Sequence, residues 1–318
     1  MVLTVNYVGN HGIHIPYNNL WPNAYDQFGL YPGVPGVNPN PAVPNYGVVT
    51  TVQTGAISSY NGLSTTVTKR FSHWTAAHFN YTWSHNLDEV SNGGIFTYGD
   101  SVLGQLSPTS LRSLNYGNSD YDIRHNFSAD FIVTPSYKFG NRFLEAALGG
   151  WQWSGKIFWR SGLPFSVQDS NTALGNFTTT IQGSYTGHGP AQTSCGEAAA
   201  LTPCINAAAF VDASAATFNN FTGFSTQNRN QFRGPHFFDV DMALYKNFRI
   251  KEKINFGVGL QAFNAFNHPN FAQPDNTLGD STFGQVTGMQ SVPTSPYGNF
   301  LGFDSSVRVV QITGKIVF

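Results

Sequence analysis

His236, Asp239 and Asp241, in "HFFDVD", are the residues closest to a catalytic constellation, because a carboxylate that orients an imidazole lets that imidazole activate water. Asp239 and Asp241 are two apart and so share one side of a strand. A side that lines a water-filled lumen has to be polar in any case. That requirement accounts for both carboxylates, and no enzymatic activity is expected. Imidazoles also stand at His11 and His14 in "HGIH", and at His73, His78 and His85. None has the convergent carboxylates or thiolates that a metal site requires, so no metal or other cofactor is expected. Gly-rich phosphate loops, nucleophile elbows and HExxH are absent from the sequence. The two cysteines, Cys195 and Cys204 in "CGEAAALTPC", are candidates for a disulfide closing a short loop, as an oxidising compartment permits.

The composition limits what elements can carry these residues. Charged residues make up 10% of the 318, against roughly 25% in ordinary soluble domains, whereas aromatics reach 15%, with 27 Phe and 14 Tyr. Mean hydropathy is −0.20 and no window approaches the ~20 apolar residues of a membrane-spanning helix. The formal net charge is −1 with no Lys/Arg block, which argues against a nucleic-acid partner. The opening "MVLTVNYVGNHG" has no basic n-region, apolar h-region or cleavage site, so no signal peptide is expected; it reads as a strand already under way.

Period-two alternation runs through the chain. In "TAAHFNYTWSH", Ala77, Phe79, Tyr81 and Trp83 alternate with His78, Asn80, Thr82 and Ser84. "HNFSADFIV", "WQWSGKIFWR" and "KINFGVGLQAF" behave in the same way. Eight strands are expected, beginning near Val2, Tyr60, Thr75, Arg124, Ala146, Phe237, Lys253 and Ser306. Short turns fall around Ser72, around Lys138 and Phe139, and around Ile250 and Lys251. The connections over 9–58, 86–122, 164–235 and 268–304 are long and rich in Gly, Pro, Asn, Ser and Thr. Short and long connections alternate strictly, as they do when a membrane separates the two ends of the strands. The expected fold is therefore all-β: an antiparallel transmembrane β-barrel portion of about eight strands, with short periplasmic turns and long extracellular loops. Its expected surroundings are the lipid of a bacterial outer membrane. Trp74 and Trp151 near the short turns, and Trp83 and Trp159 near the opposite strand ends, suit interfacial girdles.

Several blocks resemble a known family. They are "YVGNHG" (Tyr7–Gly12), "SYNGLSTTVTKRFS" (Ser59–Ser72), "NYTWSHNLDE" (Asn80–Glu89), "YDIRHNFSADFIV" (Tyr121–Val133) and "RSGLPFSV" (Arg160–Val167). To these are added Arg233-Gly234-Pro235, the Asp239–Lys246 strand, the Phe263–His268 run "FNAFNH", and the terminal Gln311–Phe318 strand. Together, and in this order, they resemble the C-terminal part of the β-barrel of Oar-like TonB-dependent outer-membrane transporters. The resemblance implies a barrel of about 22 strands with an N-terminal plug in its lumen, and uptake of a bulky nutrient driven by the inner-membrane TonB complex. Residues 1–318 contain neither plug nor TonB box, so they are expected to form only the C-terminal portion of such a barrel. The plug and the TonB complex are partners implied by the family alone. A structural or adhesive outer-membrane barrel without transport activity is the alternative.

The chain ends in "RVVQITGKIVF". Val310, Ile312 and Ile316 share one face, and with Phe318 they resemble the signal read by the barrel assembly machinery, a further expected partner. The loop aromatics Tyr25, Phe28, Tyr31, Phe177, Phe210, Phe218, Phe221 and Phe224 either form a ligand surface or pack the loops together. The substrate-binding residues are not identified by the sequence.

Overall fold

A computed structural model describes residues 1–29, 37–91, 112–136, 140–169, 174–176, 181–185, 190–195, 202–211, 228–251, 254–289 and 307–317. Eight long strands dominate: β1 (Val2–Asn19), β2 (Thr51–Ser72), β3 (Thr75–Asp88), β4 (His125–Val133), β5 (Trp151–Arg160), β6 (Phe237–Lys251), β7 (Ile254–Phe263) and β8 (Val309–Val317). Each pairs antiparallel with its neighbour in sequence, giving one meander in the order β1 to β8. Among the described residues β1 pairs only with β2 and β8 only with β7, so the sheet is open.

The register carries the alternation across the sheet. One row runs Leu3, Val67, Phe79, Ala129, Ile157 and Val240. The next row, on the opposite face, runs Val2, Thr68, His78, Asp130, Lys156 and Asp241. A one-residue slip in any pair would bring the charged row into the apolar face, and this locks the register.

β1 and β2 are far longer than the roughly 9–11 residues that cross a bilayer. The expected 9–58 loop is thus strand at both ends, β1 continuing to Asn19 and β2 starting at Thr51, and the connection proper runs over 20–50. A bulge between Gly12 and Ile15, with His14 at φ 56°, bends this extension. Tyr17, Ala56 and Val90 then bury one another at its far end.

The fifth strand begins at Trp151, not near Ala146, where residues Arg142–Leu148 form a helix. "RFLEAAL" is composed almost wholly of good helix formers. Asn141 caps it by accepting a hydrogen bond from the Phe143 N–H, and the Gly149 N–H closes the other end on the Glu145 carbonyl. The connection from 134 to 150 is consequently a turn built around a helix rather than a tight hairpin; Lys138 and Phe139 lie outside the described residues. The β2–β3 hairpin does turn tightly, with His73 and Trp74 both at positive φ, as a type I′ turn requires.

At the other end of the sheet the described parts of the long connections pack together. Phe165, Val167, Cys195, Cys204, Ile205, Ala209, Phe210, Phe232, Leu278, Phe283 and Val286 make one buried apolar cluster. It joins the β5–β6 connection to the β7–β8 connection. The chain segments leaving β5 and entering β6 touch here, and an added Cβ on Gly162 would fall 1.8 Å from the Gly234 carbonyl oxygen. Gly162→Ala must separate these segments. It is expected to increase protease sensitivity of the β5–β6 connection on whole cells while the heat-modifiable gel mobility of the sheet persists; unchanged cleavage would contradict the packing.

Candidate functional site

The chemistry-bearing side chains gather where the strands meet the long connections. Arg229 is fully enclosed there, and its guanidinium pairs with the carboxylates of Asp88 and Asp120, both almost completely buried. It also donates to the Asp88 carbonyl (3.1 Å) and to Ser91 Oγ (2.8 Å). Burial opposes its charge, but Asp120 and Asp88 outweigh burial and hold the guanidinium pKa above its ordinary value. The neighbouring Asn230, at φ 54°, donates from Nδ2 to the Asn118 carbonyl (2.8 Å) and to Asp120 Oδ1 (2.6 Å). Gly117 makes this approach possible, since a Cβ there would lie 2.3 Å from the Arg229 carbonyl oxygen.

A second ionic node adjoins the first. Asp122, buried at the start of the approach to β4, accepts from Arg124 Nε (3.0 Å), from the Arg233 guanidinium and from the Asn86 N–H (2.7 Å). Arg233 donates further to the carbonyls of Asp122 (2.9 Å) and Gly162 (3.2 Å). Two connections, β3–β4 and β5–β6, are thereby tied together by two carboxylate–guanidinium nodes.

A third device supports β6 where β7 no longer reaches it. The β6–β7 pairing stops at Met242 opposite Ala262, which leaves residues 237–241 without that neighbour. Asn270 takes its place, accepting from the Phe238 N–H (2.8 Å) and donating to the Phe238 carbonyl (2.9 Å). The Ala265 N–H donates to the Val240 carbonyl (2.7 Å), and the Asn264 N–H to Asp241 Oδ1 (3.1 Å). Asn264 and Asn267 hold positive φ values of 46° and 53° in the turn that makes this possible.

His236 lies against His268, with ring centroids 5.9 Å apart, and forms no ion pair with Asp239 or Asp241. Burial first, and His268 second, hold its pKa below the ordinary 6.5. Asp239 and Asp241 sit on the polar face with Asp130 and Lys156. His78 faces Asp130 at 3.5 Å, while His85 Nε2 is 3.0 Å from Asn118. His73 occupies the β2–β3 turn, and His11 and His14 lie on β1.

Cys195 and Cys204 are joined in a disulfide, with Cα atoms 5.2 Å apart. The bridge lies in the apolar cluster, beside a cavity of about 440 Å³ lined by Thr193, Pro203, Ile205, Asn206, Asp280 and Phe283. Of the loop aromatics, Phe210 is buried against Tyr185, Phe232 and Phe283, Tyr25 is half-buried and Phe28 is exposed. Tyr31, Phe177, Phe218, Phe221 and Phe224 lie outside the described residues, as does Phe318. Val310, Ile312 and Ile316 share the exposed apolar face of β8.

A family model described as "Outer membrane beta barrel domain" matches residues 1–311. Comparisons with curated proteins and with solved structures returned no match.

Replacing Arg229 by Met leaves two buried carboxylates facing each other, a loss on the order of 3–5 kcal/mol for a buried pair. Hydrogen exchange is expected to accelerate at residues 117–122 and 229–233 and to stay slow in β6 and β7. Adding Asp88→Asn and Asp120→Asn should restore part of the protection. Equal exchange in Arg229→Met and the parent would show that the node is not what holds the connections.

Proposed function

We propose, for a chain that belongs to the outer membrane beta barrel domain family and resides in the bacterial outer membrane, that it forms the C-terminal arc of a wide TonB-dependent transporter-like barrel. In this reading it admits a bulky nutrient and performs no catalysis. The observation that carries the proposal is the open sheet, in which, among the described residues, β1 pairs only with β2 and β8 only with β7. In lipid each unpaired N–H or C=O costs several kcal/mol, so further strands must complete the wall. A barrel wider than eight strands has room for a lumen and a plug, whereas eight strands closed on themselves fill their interior with side chains. The polar row with His78, Asp130, Lys156 and Asp241 would face that lumen. Insertion would proceed through the barrel assembly machinery acting on the terminal strand.

A second reading, a structural or adhesive barrel, is favoured by the folded cap. Its buried cluster and disulfide resemble a rigid external platform more than a mobile binding loop.

The two readings diverge in intact cells. Under the transport proposal, deleting the gene abolishes accumulation of at least one component of a labelled mixture of oligosaccharides and peptides too large for porins, and a protonophore abolishes the same component in the parent. Unaltered uptake together with weakened surface attachment or envelope integrity would reject transport in favour of the structural role.

A further inference from the structure

We infer that the helix Arg142–Leu148 is a membrane anchor seated in the phospholipid headgroup layer of the periplasmic leaflet, against the outside of the barrel wall. Three observations converge on this placement. The first is exposure: Phe143 is 86% exposed, Leu144 47% and Leu148 55%, on a helix of seven residues. Apolar groups in that density are unfavourable in water and favourable at a bilayer surface.

The second is the side of the wall on which the helix ends. Its last carbonyls, those of Ala147 and Gly149, both accept from Lys246 Nζ, and the Ala147 carbonyl also accepts from Trp151 Nε1 at 3.0 Å. Lys246 and Trp151 stand opposite each other in the β5–β6 register, in the face that carries Trp153, Leu244 and Ile157, away from the lumenal row of Lys156 and Asp241. The C-terminal end of the helix is therefore pinned to the lipid-facing side. Its carbonyls there receive the Lys246 ammonium, as a helix C-terminus favours.

The third is depth. The Lys246 ammonium lies 5.1 Å from the Trp151 ring centroid and 5.4 Å from that of Phe248, an arrangement in which the stem stays in apolar surroundings while the charge is held by π faces and carbonyls. Trp74, Trp151, Trp153 and Phe248, all more than a third exposed, mark the same end of the strands. This is the level at which an aromatic girdle meets the headgroups. Phe143, Leu144 and Leu148 extend that lipid-contacting band outward. A plug would lie on the opposite, lumenal face, and so would not cover them. The inference rests on membrane residence and not on transport.

The test uses the full chain reconstituted in vesicles of phosphatidylethanolamine and phosphatidylglycerol, its native disulfide intact. Nitroxide labels are placed singly by Phe143→Cys, Leu148→Cys and Glu145→Cys, and insertion is verified by flotation with the vesicles that survives alkaline carbonate. Collision with oxygen and with a water-soluble nickel chelate is then read by power saturation. At 143 and 148, oxygen collision is expected to exceed nickel collision several-fold, and at 145 the ratio should fall. Nickel collision dominating at 143 and 148 would place the helix in water and overturn the inference. Low collision with both reagents would place it against protein, a second copy or another subunit, and would overturn it equally.

Discussion

Everything in this molecule follows from one constraint: a strand that crosses lipid must pair its N–H and C=O groups with neighbouring strands, because no water is available to do so. A sequential antiparallel meander meets this for β2 to β7, each strand pairing with its neighbours in sequence on both sides. It also fixes what the side chains can be. One face meets hydrocarbon and the other meets a lumen, so neither supplies an ordinary hydrophobic core. The apolar cluster that excludes water is found beyond the sheet, in the folded connections around Phe210 and the Cys195–Cys204 bridge.

The cap and the wall must then be joined, and charge performs that task. Arg229 with Asp88 and Asp120, and Arg233 with Asp122, lock the connection bases at the rim of the sheet. Asn270 pairs with both backbone groups of Phe238 and acts as a one-residue strand where β7 has ended. Inside a poorly solvated rim, each of these groups is stable only while its partner is present. The result is a rigid border between a wall in lipid and a domain in water.

The fold was largely legible in the sequence because alternation over eight to ten residues is dictated by the two faces of the wall. The blocks "RSGLP", "YDIR", "RGP" and "FNAFNH" were legible as blocks, but their meaning was not. Gly162 meets Gly234, Asp122 meets Arg233, and Asn264 meets Asp241, and each contact joins segments that sequence distance keeps apart. The Arg229–Asp88 pair spans 141 residues and has no local signature at all. The strand start near Ala146 is not legible for a different reason: "RFLEAAL" is short and apolar, and its helical propensity and Asn141 cap override the strand pattern that resumes at Trp151. No residue in the sequence singles out a ligand, and in the described cap the aromatic Phe210 is committed to packing.

The central claim is that β1 and β8 belong to one wide barrel and do not meet. Spin labels at Thr4→Cys and Thr313→Cys, on the native protein in its membrane, report their separation directly by dipolar spectroscopy. A wide barrel predicts a distance of many strand spacings, each about 4.8 Å. Labels at adjacent-strand distance would mean that the eight strands close on themselves, and the account would be wrong.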